Sequence, residues 1–198
     1  MREKNNNSVL LKPLSFSRLI FYFTGFLFFS FQSGRDELLW QENKPLTWAD
    51  FKGVPEKRFA VASTHYDILK SVSAENDSGA IVKIRAVFFR NESWRKKEWI
   101  NDDVLIHEQK HFDIVELFAR KIRKAIKGTT FQNYNDLIKK TNEIYRKYDK
   151  EMDSFQDLYD KETDSSMNGK EQRKWNAKIS SGLKDMDNYK DNEIEVSF

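Results

Sequence analysis

An α+β fold is what the sequence predicts, and three observations carry that expectation. Residues 39–90 contain two of the chain's three prolines and two long runs of β-branched and aromatic residues, the signature of strands and turns. From Asp102 onward no proline occurs and apolar residues recur every three or four positions, the period of helices. The first 34 residues differ in composition from everything that follows, so the folded domain is sought in residues 35–198.

Met1 to Arg18 carries Arg2, Lys4, Lys12 and Arg18 against Glu3 alone, and Leu19 to Phe31 (LIFYFTGFLFFSF) is then uncharged and apolar. A basic stretch followed by 13 apolar residues reads as an export signal, being shorter than the roughly 20 residues a spanning helix needs. Ser30, Ser33 and Gly34 are small but form no clean cleavage motif. Residues 1–34 are therefore expected to be a signal peptide or, if uncleaved, an N-terminal membrane anchor through residues 19–31. The domain is expected in a secreted or periplasmic compartment, touching membrane only through that segment.

The chain has 34 basic and 31 acidic residues. Four of the basic and one of the acidic ones lie in the leader, so 30 of each remain in residues 35–198. A neutral domain with no basic patch interleaved with aromatics argues against a nucleic-acid partner. Cysteine is absent, which leaves nitrogen and oxygen as the available metal ligands.

Pro45, Gly53 and Pro55 punctuate the start of the domain. VASTHYDILKSVSA (61–74) and AIVKIRAVFF (80–89), joined by AENDSGA, are expected to form a small antiparallel sheet. Asp102 or Asp103 caps a first helix, whose apolar positions Leu105, Phe112, Val115, Ala119, Ile122 and Ile126 run to a stop at Gly128. A second helix is expected from about Asn133 to Thr163. Its stripe Ile138, Thr141, Tyr145, Tyr148, Met152, Phe155 and Tyr159 keeps the three-four alternation of a helix packed along another. Ser166 to Gly182 reads as a third helix anchored by Trp175 and Ile179. The domain proper spans residues 35–185, and residues 186–198 read as a polar C-terminal tail, with EIEVSF as a candidate strand.

Chemistry concentrates in LIHEQKHFDI (105–114), which holds two of only three histidines in the chain. On a helix His107 and His111 project from one face a turn apart and can close on one ion. Glu108 sits about 100° round the helix, near enough to take a proton from a water on that ion. That is the physical content of HExxH: two imidazoles hold Zn²⁺ and the glutamate is the general base. Peptide or protein is the substrate class that the motif suggests, with Zn²⁺ as cofactor. The order of a sheet followed by an HExxH helix and two further helices fits a zincin-like α+β fold. The competing expectation is a non-catalytic extracytoplasmic binding module with a structural or degenerate zinc site.

Leu39-Trp40, LTWADFKGVP (46–55), HEQKHFDIVELFARKIR (107–123), YDKET (159–163) and Trp175 together resemble the predicted secreted zinc-dependent protease family of exported bacterial proteins. The resemblance implies an extracytoplasmic metalloprotease-like domain across most of residues 35–198. One position departs from it: the family carries a histidine two residues after the threonine of its YDxxT segment, where this chain has Ser165.

A catalytic zinc takes three protein ligands, so a third ligand must be found. Asp113 and Glu116 lie on the first helix at angles ill-suited to join the histidines. Glu162, three residues beyond Tyr159, continues the apolar stripe of the second helix and is the preferred residue. Asp160 falls about 100° off that stripe but belongs to the YD pair of the resemblance, and is the alternative. Asp164 comes next, and His65, in a strand upstream, is the remaining nitrogen donor.

Overall fold

The computed structural model describes residues 35–57, 60–76 and 78–198. The expected leader, residues 1–34 with the apolar run 19–31, lies outside them. Among the described residues no helix is long and apolar enough to cross a membrane.

The domain is α+β, with an antiparallel sheet and three helices. The strands are β1 (Glu37–Leu39), β2 (Ala62–Ser63), β3 (Tyr66–Asn76), β4 (Gly79–Phe89), β5 (Trp94–Arg95) and β6 (Glu193–Ser197). The helices are α1 (Asp102–Lys127), α2 (Tyr134–Thr163) and α3 (Gly169–Asp185). β4 is the centre of the sheet, with β3 along one side. Along its other side β1 pairs with residues 87–89 and β6 with residues 79–83. β2 and β5 form a separate two-stranded ladder.

β4 is central because it buries apolar side chains along nearly its whole length. Val82, Ile84, Ala86 and Phe88 alternate onto the core with Phe112, Val115, Phe118, Ala119 and Ile122 of α1, the period-2 face of a strand meeting a helix. The Phe88 and Phe112 rings sit 5.8 Å apart.

Caps explain the helix boundaries. α1 is capped by Asn101, whose Oδ1 accepts from the Val104 N–H at 2.9 Å. Asp102 and Asp103, the expected caps, occupy the first turn instead, where negative charge complements the helix dipole. Asn133 caps α2 in the same way, accepting from the Asp136 N–H. Asp164, Ser165 and Ser166 take left-handed φ values of 49°, 47° and 81°, which ends α2 and delays α3 to Gly169, three residues later than expected. Gly182, the expected last residue of the third helix, lies inside α3. A Cβ there would stand 3.2 Å from the Leu117 methyls, so glycine lets α3 approach α1 closely.

The expected C-terminal tail is part of the domain. EIEVS of β6 alternates exposed and buried, and Ile194 and Val196 join the core. Arg123 explains why the preceding segment is held. Its guanidinium is fully buried and donates to Glu116, to the Ile84 carbonyl of β4, and to the Tyr189 carbonyl and Asn192 Oδ1 just before β6. A buried charge of this kind is tolerated only when its donors are satisfied.

Several residues behind the family resemblance are structural. Thr47 and Asp50 form a capping box. Gly53 N–H donates to the Ser93 carbonyl at 2.7 Å, and a Cβ at Gly53 would lie 2.9 Å from that oxygen, so only glycine fits. Trp40 Nε1 donates to Asp113 at 2.9 Å, and the Leu46 N–H donates to Gln109 Oε1 at 2.6 Å. Gln109 and Asp113 point away from the two histidines at about 100° per residue, so these contacts anchor the N-terminal segment to the far side of α1.

Candidate metal centre

His107 and His111 lie in the second and third turns of α1, and both are buried. Their Nε2 atoms are 3.2 Å apart. Asp160, from the last turn of α2, places one oxygen, Oδ1, 3.1 Å from His107 Nε2 and 3.0 Å from His111 Nε2. These three residues are the group among the described residues whose ligand atoms could hold a metal ion. The triangle has the right size for the ion expected from the motif: ligand bonds of 2.0–2.1 Å to a tetrahedral zinc put neighbouring donors about 3.3 Å apart.

The ring tautomers follow from the surroundings. His111 Nδ1 lies 2.7 Å from Gln156 Oε1, and the orientation of that amide is set by its Nε2, which donates to the His111 carbonyl at 3.0 Å. His107 Nδ1 lies 3.0 Å from Gln172 Oε1. Gln172 Nε2 donates to the Tyr159 hydroxyl, and that hydroxyl in turn donates to the His107 carbonyl. An amide oxygen only accepts, so each Nδ1 carries a proton. Each Nε2 is therefore the ring nitrogen that faces Asp160, as a donor to the carboxylate when protonated and as a lone pair towards a bound ion when not. Tyr159 also sets the ring planes, stacking on His107 at 4.7 Å and meeting His111 edge-on at 4.9 Å.

Burial pushes the His111 imidazole down, but the hydrogen bond and charge of Asp160 outweigh it and hold His111 above its ordinary value. Burial pushes Asp160 up, and its bonds to His107 and His111 prevail, holding its carboxyl far below the usual range. The three atoms together form a seat for positive charge. Burial raises the Tyr159 phenol well above its ordinary value, so it remains a neutral donor.

Glu108 is also buried, and its Oε2 accepts from Thr64 Oγ1 at 2.7 Å. It lines the same open cavity of about 720 Å³ as His107, His111 and Asp160. Half of the Asp160 side chain is exposed towards solvent, so the cluster is accessible from outside.

The other candidate residues lie elsewhere. The preferred third ligand, Glu162, is not brought to the histidines, since its carboxylate accepts from Trp175 Nε1 at 2.8 Å; Asp160, the alternative, is. The stripe argument misplaced the packed face of α2. The buried positions near its end are Met152, Gln156, Tyr159 and Thr163, a face turned from Phe155 towards Gln156. At about 100° per residue Asp160 lies only some 40° from Gln156, whereas Glu162 falls on the opposite flank. Asp164 is the left-handed cap of α2. His65 sits between β2 and β3, its backbone bonded to Ser93 and Phe89, and is not in the metal-compatible group. Thr64, Gln156 and Gln172 are the site residues that sequence reasoning missed. The one available signal was Gln156, a polar residue four before Asp160 on a helix otherwise packed there by apolar groups.

Replacing Gln156 or Gln172 by leucine is expected to weaken metal binding about 10–100-fold while leaving one ion per chain at saturation, the usual cost of losing a partner that orients a ligand. Competition with a chromophoric chelator measures it. Unchanged affinity in both variants would remove the glutamines from the site.

The model of a bacterial protein family of unknown function (DUF922) matches residues 91–169, a segment running from before α1 through α2 to the start of α3 and containing His107, Glu108, His111 and Asp160. No curated protein and no solved structure matches the chain.

Proposed function

We propose that this protein is an exported zinc metallopeptidase with a zincin-like fold, and that His107, His111 and Asp160 are its metal ligands. One observation carries the reading. Two Nε2 atoms and a carboxylate oxygen converge within 3.0–3.2 Å, with both Nδ1 atoms against glutamine oxygens, a donor set that suits a cation. Zinc bound there would polarise a scissile carbonyl and lower the pKa of a water towards ~7. Glu108 would be the general base, taking the proton of that water and handing it to the leaving amine. Thr64 donates to Glu108 Oε2, which orients the carboxylate in the cavity it shares with the candidate ligands and leaves acceptor capacity on both oxygens. Three ligands next to an open cavity favour a catalytic site over a structural one, which would be closed by a fourth.

The test is hydrolysis of an unfolded protein such as casein by purified, zinc-loaded protein. Fragments should appear, disappear on chelation, and return with one equivalent of zinc. Full zinc occupancy with no cleavage of any peptide would favour the non-catalytic binding module instead.

The domain is further placed outside the cytoplasm, on the strength of the basic and apolar composition of residues 1–34. A reporter fused after Glu42 should be active only in an extracytoplasmic compartment; activity of the fusion in the cytoplasm would sink that assignment.

A further inference from the structure

Large apolar side chains left in water are few here. Among the described residues Val54, Trp99, Ile106, Leu158 and Met167 are exposed, and two of them, Trp99 and Met167, line the cavity that holds the candidate metal ligands. Trp99 is 66 % and Met167 77 % exposed, which is costly for side chains of this size unless something covers them.

Local structure bonds the Met167 N–H to the Asp164 carbonyl but leaves its side chain exposed. It immediately precedes Asn168, the cap of α3, a position where an apolar residue usually packs on the fourth helical residue. That residue is Gln172, whose amide is committed to His107 and Tyr159. Met167 is instead carried out on three consecutive left-handed residues, Asp164, Ser165 and Ser166, a conformation disfavoured for any residue with a Cβ. Ser165 and Ser166 line the same cavity. Disfavoured backbone of this kind persists where the surroundings impose it, and it concentrates at binding sites.

The cavity also has a one-sided charge. Besides Glu108 and Asp160 its lining includes Asp103 and Asp157, and among the described residues it includes no lysine or arginine. Glu108 and Asp160 are taken up with the metal chemistry, so Asp103 and Asp157 remain as exposed negative charge on the walls.

We propose that Trp99 and Met167 form a substrate-binding subsite beside the metal centre, which accepts a bulky apolar side chain of an extended peptide and disfavours acidic residues next to it. This rests on the peptidase reading and specifies its substrate class. The occupant is a peptide segment because Trp99 and Met167 line the same cavity as the three converging ligands, and the carboxylates of that cavity complement a neutral or basic neighbour and repel an acidic one.

Binding tests the subsite separately from hydrolysis. Fluorescein-labelled heptapeptides with a central Leu, Phe, Ser or Glu, flanked by either Lys or Glu, are titrated by anisotropy against zinc-loaded Glu108→Gln protein, with the metal-free protein in parallel. The Leu and Phe peptides with Lys flanks should bind at least about 10-fold more tightly than the Ser peptide, and Glu flanks should remove most of that gain. Trp99→Ala and Met167→Ala should each erase the apolar preference while leaving the far-ultraviolet circular dichroism and zinc content unchanged. Asp103→Asn with Asp157→Asn should relieve only the penalty for Glu flanks. Equal affinity for all central residues, or a preference that survives both Trp99→Ala and Met167→Ala, overturns the proposal. Failure of the peptidase reading looks different: the apolar preference persists while the wild-type protein cleaves none of the same peptides.

Discussion

Glu108→Gln should leave one zinc ion bound per chain and lower peptide hydrolysis by about 10³–10⁴-fold, the upper part of the range that general acid–base catalysis supplies. The substitution keeps the shape of the side chain and a carbonyl oxygen for the Thr64 hydroxyl, which now bonds Glu108 Oε2 at 2.7 Å, and removes the proton acceptor. A fall of that size is about 4–5.5 kcal/mol of transition-state stabilisation. It should appear in kcat, because the proposed general base acts on the reacting water and not on substrate binding. Loss of zinc together with activity would instead make Glu108 a ligand and contradict the role assigned to it.

Asp160→Ala should cost zinc affinity more than about 100-fold, beyond what removal of an orienting partner costs, whereas Glu162→Ala should leave zinc content and affinity unchanged. The contrast follows from where the two carboxylates sit. Asp160 Oδ1 touches both Nε2 atoms at 3.0–3.1 Å, while Glu162 accepts from the Trp175 indole. Glu162→Ala has a different signature: it strips the partner from a Trp175 that is buried, and should lower the urea midpoint by an amount corresponding to roughly 1 kcal/mol. Equal zinc loss in both variants would mean that metal content reports the integrity of the α2–α3 contact and not ligation.

His107, Glu108 and His111 were legible because they share one helix, where spacing alone fixes their relative direction. The two long strands were legible for the same reason: β3 and β4 carry their own apolar alternation. β1, β2 and β5, of two or three residues, were not, since strands that short are defined by the partner that supplies their hydrogen bonds. The strand in EIEVSF was visible as a pattern, but its attachment depends on Arg123, whose bonds to the Tyr189 carbonyl and Asn192 are made across the tertiary structure. Asp160 required knowledge of which face of α2 meets α1, and the aromatic stripe gave a phase that is off by one position at Phe155 and Gln156. Thr64, Gln156 and Gln172 are neutral and short of any motif. Their part in the site comes from what they touch, and only the polarity of Gln156, four residues before Asp160, pointed to it in advance.

Anomalous diffraction at the zinc edge from crystals of the zinc-loaded wild-type protein tests the central claim most directly. The expected result is one strong peak within bonding distance of His107 Nε2, His111 Nε2 and Asp160 Oδ1, with Glu108 outside the ligand set and Glu162 still on Trp175. A peak ligated by Glu162 or His65, a fourth protein ligand closing the site, or no peak in protein equilibrated with excess zinc would contradict it.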